Sequence, residues 1–417
     1  MQRYEKYKGS GVDWIGEIPE HWECKRLGTW FSERREKVSD KDYAPLSVTK
    51  NGVVPQLDNA AKSNDGDNRK LVKDGDFVIN SRSDRKGSSG LSNLDGSVSL
   101  INIVMKPRNI EGKFAQYLLK SRAFVEEFYR NGHGIVADLW TTRFDEMKFI
   151  NISIPPIDEQ QTIATFLDDK TSKIDQTIAN KQKEIELLKE RRQILIQKAV
   201  TKGLDDTIQL KDSGVDWIGK IPEHWEMRKL RNCLRAVSVK NKAHMTLLSI
   251  TREKGVIVRD KDNQEENHNF IPDDLSGYKM IKKGQFGMNK MKAWQGSYGI
   301  SNYDGIVSPA YYIFNVTDKF TSEYFHLAIR SCVYVPFFVQ ASDGVRIGQW
   351  DLNKNRMNEI PFFIPSNKEQ IEIVIYIKEM EEKIAKVILL KQQEIEKLKE
   401  YKTVLVDNVV TGKVRVT

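Results

Sequence analysis

The sequence predicts a mixed α/β (α+β) protein built from two tandem copies of one unit, each copy ending in a long helix. Three observations lead to this prediction. Distant stretches of the chain repeat one another in the same order, strand-like segments fill the middle of each copy, and a long amphipathic stretch closes each copy. The 417 residues suffice for two or three domains of about 150 residues.

The composition excludes several classes of protein. Hydrophobic residues make up 39% of the chain, which is too much for a disordered protein. The sequence contains neither the run of about 20 apolar residues that a membrane-spanning helix needs nor a secretory signal at its start. The cysteines Cys24, Cys233 and Cys332 lie far apart, which argues against a disulfide framework or a zinc finger. We therefore expect a soluble, basic, cytoplasmic protein.

The repeat is visible by direct alignment. Residues 8–30 and 211–233 are identical at 15 of 23 positions, and residues 181–190 and 391–400 are identical at 8 of 10. The chain is therefore two copies of a unit of about 205 residues and not a short-period solenoid. The matches predict four segments, two mixed ones with a repeated opener and two helical ones: 1–154, 155–204, 205–364 and 365–417.

Each copy opens with the elements DWIG and PEHWE. The histidines of the second element, His21 and His224, are interpreted as packing residues beside Trp22 and Trp225, since no histidine pair has the HxxxH spacing of a helical metal site. Strand-like stretches broken by Gly, Asn, Asp and Ser turns follow. An apolar strand ending in proline then closes the mixed segment of each copy.

The long helices are predicted from their starts and their periodicity. Ser366 and Glu369 have the spacing of a capping box, and residues 158–161 can serve likewise in the first copy. Apolar residues then recur at alternating steps of four and three, which is typical of a coiled-coil seam. The seam consists of Ile174, Ile178, Ile185, Leu188, Leu195, Ile384, Ile388, Ile395, Leu398 and Leu405.

Basic residues interrupt the seam at equivalent places in the two copies. The first interruption is Lys181 and Lys391, and the second is Arg192 and Lys402. The alternative is an amphipathic helix that faces the core of its own domain. Equal seam lengths and matching interruptions favour pairing of the two helices with each other. Helices of roughly 40 residues would then form a rigid spacer on the order of 60 Å long.

The positive charge lies in the mixed segments. Residues 24–154 carry 22 basic and 17 acidic residues, a balance of +5, and residues 227–364 carry 20 and 13, a balance of +7. The two helical segments are nearly neutral. A basic bias placed in this way is typical of a nucleic-acid partner, although many soluble proteins carry such an excess.

Two loops align without gaps inside these segments: loop 1, residues 80–90, and loop 2, residues 289–299. Their frame of Asn, Gly, Ser and Gly is identical, whereas the side chains between differ. Arg82, Arg85 and Lys86 stand opposite Met291, Trp294 and Gln295. Arg and Lys suit guanine edges and Gln suits adenine edges, so the loops could read different bases. The alternative is a surface loop whose sequence has drifted.

Other basic, polar turns are candidates for phosphate contact, although each could equally be a plain solvated turn. They lie at residues 62–70, 131–134 and 344–346. Together with the loops they give a predicted set of DNA-contacting residues: Lys62, Asn64, Arg69, Lys70, Arg82, Arg85, Lys86, Ser88, Lys290, Lys292, Trp294, Gln295, Ser297, Tyr298 and Arg346.

The motifs of several enzyme classes are missing from the sequence. It contains no GxxxxGK[ST] phosphate loop, no GxGxxG after a strand and no Asn/Asp-Pro-Pro-aromatic run of an adenine methyltransferase. We find no catalytic residues and no metal ligands, and expect no enzyme activity of the chain alone. Two other readings stay open: a coiled-coil interaction protein without a DNA role, and a self-contained nuclease or methyltransferase.

The doubled SGVDWIG-x-IPEHWE opener, the Glu-Gln pairs 159–160 and 369–370 at the helix starts, and the two long helices resemble the specificity subunits of type I restriction–modification systems. The resemblance covers essentially the whole chain. The second copy departs from the first where residues 365–368 read Pro-Ser-Asn-Lys in place of the Pro-Pro-Ile-Asp of residues 155–158.

The resemblance implies an architecture and a set of partners. Each mixed segment would be a target-recognition domain for one half of a bipartite double-stranded DNA site. The two helices would pair as an antiparallel coiled coil with pseudo-twofold symmetry. Two modification subunits would methylate adenine N6 with S-adenosylmethionine, and restriction subunits would add ATP-driven translocation and cleavage. S-adenosylmethionine, ATP and Mg would bind to those partners and not to this chain. Because the two loops differ, we expect an asymmetric target.

Overall fold

The computed structural model describes residues 2–58, 66–134, 140–260, 271–346 and 349–416. The chain forms two compact units, and the first is discontinuous in sequence. Unit 1 comprises Met1–Gln182 and Gln392–Thr417, and unit 2 comprises Lys183–Lys391. Among the residues that the structure describes, no helix combines the length and apolar character that crossing a membrane requires.

Unit 1 consists of short antiparallel strands with helices on one side. Its described strands are β1 (Tyr7–Gly9), β2 (Glu17–Pro19), β3 (Glu23–Arg26), β4 (Phe31–Glu33), β5 (Lys37–Val38), β6 (Leu46–Thr49), β7 (Gly52–Pro55), β8 (Arg69–Val72), β9 (Phe77–Asn80), β10 (Ser89–Leu91), β11 (Gly96–Val98), β12 (Asn102–Pro107) and β13 (Asn151–Ile154). Its helices are α1 (Gly112–Lys120), α2 (Arg122–Arg130), α3 (Phe144–Met147) and parts of α4 (Ile157–Lys202) and α8 (Asn367–Val410). The largest sheet has the order β10-β9-β12-β4, and β11-β8-β5 forms a second sheet.

The central strand β9 is buried on both faces. Phe77 and Ile79 belong to the large core under α1 and α2, whereas Val78 lies in a smaller core that includes Leu46 of β6. This explains why the strand is a continuous apolar run and does not alternate apolar and polar residues. The sheet thus holds the hairpin β6–β7 on one side and the helices on the other.

Most elements of unit 1 recur in unit 2 in the same order. Its described strands are β14 (Leu210–Asp212), β15 (Lys220–Pro222), β16 (Glu226–Lys229), β17 (Leu234–Val237), β18 (Leu248–Thr251), β19 (Gly255–Val258), β20 (Lys279–Ile281), β21 (Phe286–Asn289), β22 (Tyr298–Ile300), β23 (Gly305–Val307), β24 (Tyr311–Val316), β25 (Ser342–Arg346), β26 (Gln349–Leu352) and β27 (Pro361–Ile364). Its helices are α5 (Ser322–Ile329), α6 (Val335–Gln340), α7 (Lys354–Asn358) and the remaining parts of α4 and α8. The sheet β17-β24-β21-β22 corresponds to β4-β12-β9-β10. The prediction of a tandem-repeat α/β fold is therefore confirmed.

The repeated opener and the Glu-Gln pair are joined by hydrogen bonds at the start of each long helix. In unit 1, Glu159 accepts from the Trp22 indole at 3.2 Å and contacts His21 Nε2 at 2.7 Å. In unit 2, Glu369 accepts from the Trp225 indole at 3.1 Å. Both tryptophans are fully buried. The PEHWE element thus anchors each opener to its helix.

The helix starts differ in their capping. The Ser366 hydroxyl accepts from the Glu369 amide at 3.3 Å while Glu369 accepts from the Ser366 amide at 3.0 Å, which is the predicted capping box. Burial opposes ionisation of Glu369, but the hydrogen bonds from Ser366 and Trp225 outweigh it and lower the pKa of this carboxyl. In the first copy Glu159 also accepts from the Tyr4 hydroxyl at 2.6 Å, so it ties the helix start to the N-terminal segment.

The long helices pack against each other in antiparallel fashion within each unit. In unit 1 the residues Ile174 and Ile178 of α4 share a core with Leu398 and Leu405 of α8. In unit 2 the core contains the corresponding later residues of α4 and earlier residues of α8, namely Leu188, Leu195, Ile384 and Ile388. The remaining seam residues, Ile185 and Ile395, are also buried.

The basic residues that interrupt the seam pair with carboxylates of the facing helix. Lys181 lies 2.6 Å from Glu394, and Lys402 lies 2.6 Å from Asp175, both within unit 1. In unit 2, Lys391 pairs with Glu184 and Arg192 lies 3.8 Å from Glu381. The interruptions therefore add charge pairing to the apolar seam, in the way that e and g positions do in coiled coils.

Candidate nucleic-acid interface

Loops 1 and 2 have the same backbone architecture. Each connects two strands of the main sheet through a short 3-10 turn, Ser83–Arg85 in loop 1 and Ala293–Gln295 in loop 2. Asn80 accepts from the Arg82 amide at 3.1 Å, and Asn289 accepts from the Met291 amide at 3.1 Å. The shared asparagines thus form the same turn in both units.

The shared glycines have a conformational reason as well. Gly87 has φ of +80° and Gly296 has φ of +92°, in the left-handed region that residues with a Cβ rarely adopt. The frame predicted from the alignment is therefore a backbone frame, and the side chains between its fixed points are free to differ without a change of fold.

Loop 1 borders an open cleft of about 900 Å³ in unit 1. The hairpin β6–β7 forms the opposite wall, and the lining residues include Arg69, Arg82, Arg85 and Ser88. Arg82 Nε lies 3.0 Å from Asp84, and Arg85 Nε lies 3.8 Å from the same carboxylate. The Arg85 side chain is 68% exposed, so this ion pair holds it weakly and leaves it able to reach a ligand.

The other predicted residues of unit 1 are more constrained. Lys86 lies 2.5 Å from Glu126 of α2, and Lys70 lies 3.1 Å from Glu33 of β4. Arg69 is buried and donates to the Ser97 hydroxyl at 2.8 Å. Burial lowers the pKa of this guanidinium.

Two consequences follow for the predicted set in unit 1. Because Arg69 and Ser88 are buried, we assign them to holding the cleft and leave them out of the contacts that we propose below. Lys62 and Asn64 lie outside the described residues.

Loop 2 presents an aromatic surface where loop 1 presents arginines. The Trp294 ring lies against Trp350 of β26, with ring centroids 5.4 Å apart. Lys290 pairs with Asp351 at 3.3 Å, and Lys292 is exposed. Gln295 lines a cleft of about 1030 Å³ in unit 2.

Two predicted residues of loop 2 lie in the core. Ser297 and Tyr298 are buried, and the Tyr298 ring packs on Phe338 at a centroid distance of 4.4 Å. Burial raises the pKa of the Tyr298 hydroxyl far above its usual value. Side chains buried in this way are not available to a groove of DNA, so we leave both out of the proposed contacts. Arg346 lies at the end of β25.

A basic residue at the end of the first helix positions the neighbouring hairpin in each unit. Lys120 of α1 donates to the Lys50 carbonyl at 3.0 Å, and Arg330 after α5 donates to the Arg252 carbonyl at 2.9 Å. Burial lowers the pKa of Lys120 and that of Arg330. These contacts fix the tip of each hairpin beside its loop.

The hairpins and Trp350 were missed in the sequence. The hairpin β6–β7 and its counterpart β18–β19 form walls of the two clefts, and Arg252 of the second hairpin lines the cleft of unit 2. Their signal was present, because Thr49 and Thr251 each precede a short turn to a glycine that begins the next strand. Trp350 gave no signal, since nothing in the sequence links it to Trp294.

A family model matches the first part of the chain. Residues 19–187 match the type I restriction modification DNA specificity domain. Two curated proteins of Methanocaldococcus jannaschii are also similar. The type I restriction enzyme MjaVIII specificity subunit is 28% identical over 226 residues, which are 51% of this chain and 49% of that protein. The putative type I restriction enzyme MjaX specificity subunit is 25% identical over 242 residues, 52% of this chain and 54% of that protein. The chain spans about half the length of the curated relatives it matches.

Solved structures share the fold over almost the full chain. A chain from a structure on complex assembly and conformational transition of the type I R-M system has a TM-score of 0.66 at 12% identity, covering 95% of this chain and 99% of that one. The HsdS subunit from Thermoanaerobacter tengcongensis has a TM-score of 0.54 at 14% identity, covering 95% and 98%. At such identities the likeness is one of fold.

Proposed function

We propose that this chain belongs to the type I restriction–modification DNA specificity family and selects the DNA sequence on which a type I restriction–modification complex acts. The family resemblance predicted from the repeated opener is confirmed by the family model and by the curated specificity subunits.

One observation carries the proposal. Two structurally equivalent loops, each beside a cleft, hold the same backbone frame but present different side chains. Loop 1 offers Arg82 and Arg85, and loop 2 offers Trp294, Gln295 and Lys292. A pair of readers for two unlike half-sites needs this combination, since the frame sets the approach to DNA and the variable side chains select bases.

The proposed division of labour within a half-site follows the exposure of the side chains. Arg85 and Gln295 lie at the clefts and are assigned to base edges. Arg82, Lys86, Lys290 and Lys292 are assigned to phosphates or to the rim, and Arg346 is assigned there from its place at the end of β25. Lys70 is left out of the proposed contacts, because Glu33 already pairs with it. The target is then bipartite and asymmetric, with one recognition domain for each half.

The partners are proposed from the same family assignment. The paired helices would act as a spacer between the recognition domains and as a scaffold for two modification subunits, which would methylate adenine N6 with S-adenosylmethionine. Restriction subunits would bring ATP-driven translocation and cleavage. This chain would contribute sequence selection and no chemical step.

The experiment that tests the function maps adenine methylation across the host genome by long-read sequencing, with the gene intact and with it deleted. We expect a bipartite, non-palindromic motif that disappears on deletion. Complementation with the intact gene is the control and should restore the same motif. An unchanged methylation pattern, in a host that expresses the chain and a modification subunit, would contradict the proposal.

A further inference from the structure

A lysine occupies equivalent positions in the two units but has opposite electrostatic surroundings. Lys70 of β8 donates to the Asn102 carbonyl at 2.9 Å, and Lys279 of β20 donates to the Tyr311 carbonyl at 2.7 Å. Both carbonyls belong to the first residue of the equivalent strands β12 and β24. The two ammonium groups therefore occupy the same place in the fold.

In unit 1 a carboxylate neutralises this lysine. Glu33 of β4 lies 3.1 Å from Lys70 Nζ and also 2.7 Å from Arg35 Nε. The Lys70 side chain is only 16% exposed, and its ammonium group is already paired within the protein. It is therefore poorly available to a phosphate.

In unit 2 the carboxylate is replaced by a methyl group. Glu33 stands opposite Met105 in the sheet, and Ala236 stands opposite the equivalent Phe314. Lys279 consequently has no acidic partner on the neighbouring strand. Among the described residues, Lys279 forms no ion pair with a carboxylate, and the same holds for Lys240 and Lys354.

Further lysines surround Lys279. The Met280 amide donates to the Val239 carbonyl at 2.7 Å, which brings Lys240 next to Lys279. The ammonium groups of Lys279 and Lys354 lie 5.8 and 5.9 Å from the centroid of the Tyr312 ring. Burial, and then the charges of Lys240, Lys290 and Lys354, lower the pKa of Lys279. Of these lysines, Lys290 has a carboxylate partner, Asp351.

Neighbouring ammonium groups without carboxylate partners repel one another, and a bound anion would relieve this repulsion. A group of several neighbouring ammonium ions suits a polyanion with many charges better than a single small anion. Phosphodiesters on one strand of DNA provide such charges, and each neutralised phosphate releases counterions.

We propose that Lys279, with Lys240 and Lys354 beside it, forms a phosphodiester-binding site in unit 2. Among the described residues of unit 1 the equivalent lysine is neutralised by Glu33, so that unit 2 supplies more of the salt-dependent DNA affinity than unit 1. The inference rests on the proposed function and deepens it. Base selection is then divided between both units, while electrostatic anchoring is concentrated in one of them.

The test transfers the carboxylate between the units. Ala236→Glu places beside Lys279 the acid that unit 1 has, and Glu33→Ala removes it from unit 1. The assembled complex with its modification subunits binds a duplex that carries the mapped target, and the slope of log affinity against log salt concentration is measured. We expect Ala236→Glu to make the slope shallower by about 1 for each phosphate contact removed, and Glu33→Ala to leave it unchanged or steeper.

A variant on the surface tests the same site without the risk that Ala236→Glu disturbs the folding of its strand. Lys354→Gln changes an exposed side chain and should make the slope shallower by about 1. The matched control Lys368→Gln, on the exposed face of α8 beside Glu372, should leave the slope as it is. The methylated motif should be the same for all variants, because phosphate contacts carry no sequence information.

The outcomes separate the two proposals. A wild-type complex that shows no specific DNA binding would overturn the proposed function. Specific binding with equal slopes for wild type, Ala236→Glu and Lys354→Gln would overturn the lysine site alone. A changed methylation motif in Lys354→Gln would also overturn it, since the lysines would then read bases. If these variants bound DNA as the wild type does but lost the modification subunits, the lysines would instead be assigned to binding an acidic surface of a partner protein.

Discussion

Arg85 is the residue of loop 1 to which the proposed function assigns a base contact. It is exposed, lines the cleft and is tethered only loosely by Asp84. We expect Arg85→Ala to relax one half of the methylated motif, at a loss of discrimination of about 1–3 kcal/mol for one bidentate contact. Lys86→Ala is the matched control, because Lys86 is paired with Glu126 and should not change the motif. Equal weakening of binding to all DNA would assign Arg85 to phosphate contact.

His326 makes the stability of unit 2 depend on pH. Burial, and then the charge of Arg330, lower its pKa from 6.5 to about 4, and its Nδ1 accepts from the Ile300 amide at 3.1 Å. Between these values the unfolded chain binds a proton at this residue and the folded chain does not, so stability falls as the pH falls. Between pH 7.5 and pH 5 the free energy of unfolding should fall by about 2 kcal/mol.

The equivalent residue of unit 1 supplies the variant that tests this. Gln116 accepts from the Leu91 amide at 3.1 Å through its side-chain oxygen. His326→Gln should therefore keep the hydrogen bond and remove the His326 contribution to the pH dependence, which denaturant titrations at the two pH values measure. A wild-type protein and a variant with equal losses of stability on acidification would contradict the assignment.

At the scale of elements, the apolar seam and not the ion pairs stabilises the helix pair. Leu405 is buried in the core of unit 1, so Leu405→Ala should lower the free energy of unfolding by about 2–4 kcal/mol. The neighbouring Val404 is 49% exposed, and Val404→Ala should cost less than about 0.5 kcal/mol. Chemical denaturation of the three proteins measures the difference. Equal costs would show that this part of α8 does not face the core.

The ion pairs between the helices have a different role. Exposed pairs such as Lys181–Glu394 contribute only about 0–1 kcal/mol each. Their positions fix which residue of α4 faces which residue of α8, because a shift by one turn would separate the charges. The interruptions of the seam, which weaken it as a hydrophobic surface, thus specify its register.

The elements were predictable to different degrees. The helices, the seam and the shared frame of the loops follow from periodicity and from alignment of the two copies, which are local properties of the sequence. The burial of Arg69 and Tyr298 was not predictable, because residue type indicates what a side chain can bind and not where the fold places it. The pairing of Trp294 with Trp350 joins residues that no repeat or spacing connects.

At the scale of the whole molecule, the compact units do not follow the order of the sequence. The predicted segments run one after another, whereas unit 1 is closed by Gln392–Thr417 from the far end of the chain. Periodicity predicted that the helices pair, but a pattern along one helix cannot show which part of it completes which core. That information lies in contacts distant in sequence, such as the Arg122 amide donating to Asp407 at 2.9 Å.

Removal of residues 392–417 should therefore damage the unit that lies at the other end of the sequence. Val409 and Val410 share a core with Trp22 and Phe124, so their loss exposes the interior of unit 1. We expect limited proteolysis of the shortened chain to cut within residues 1–182 at protease levels that spare the full-length chain. Unit 2 is the internal control and should keep its protection. Equal protection of both units would contradict the discontinuous core.

The discontinuity of unit 1 also sets the order of events during synthesis. Domains generally fold as they emerge from the ribosome, the first-made before the later-made. Here residues 1–182 cannot complete their core until residues 392–417 have been made, whereas residues 183–391 can complete their own core earlier. Unit 1, which begins earlier in the sequence than unit 2, is thus completed after it. A chain that stops before these turns are made leaves the interior of unit 1 exposed to proteases, which would remove the incomplete protein.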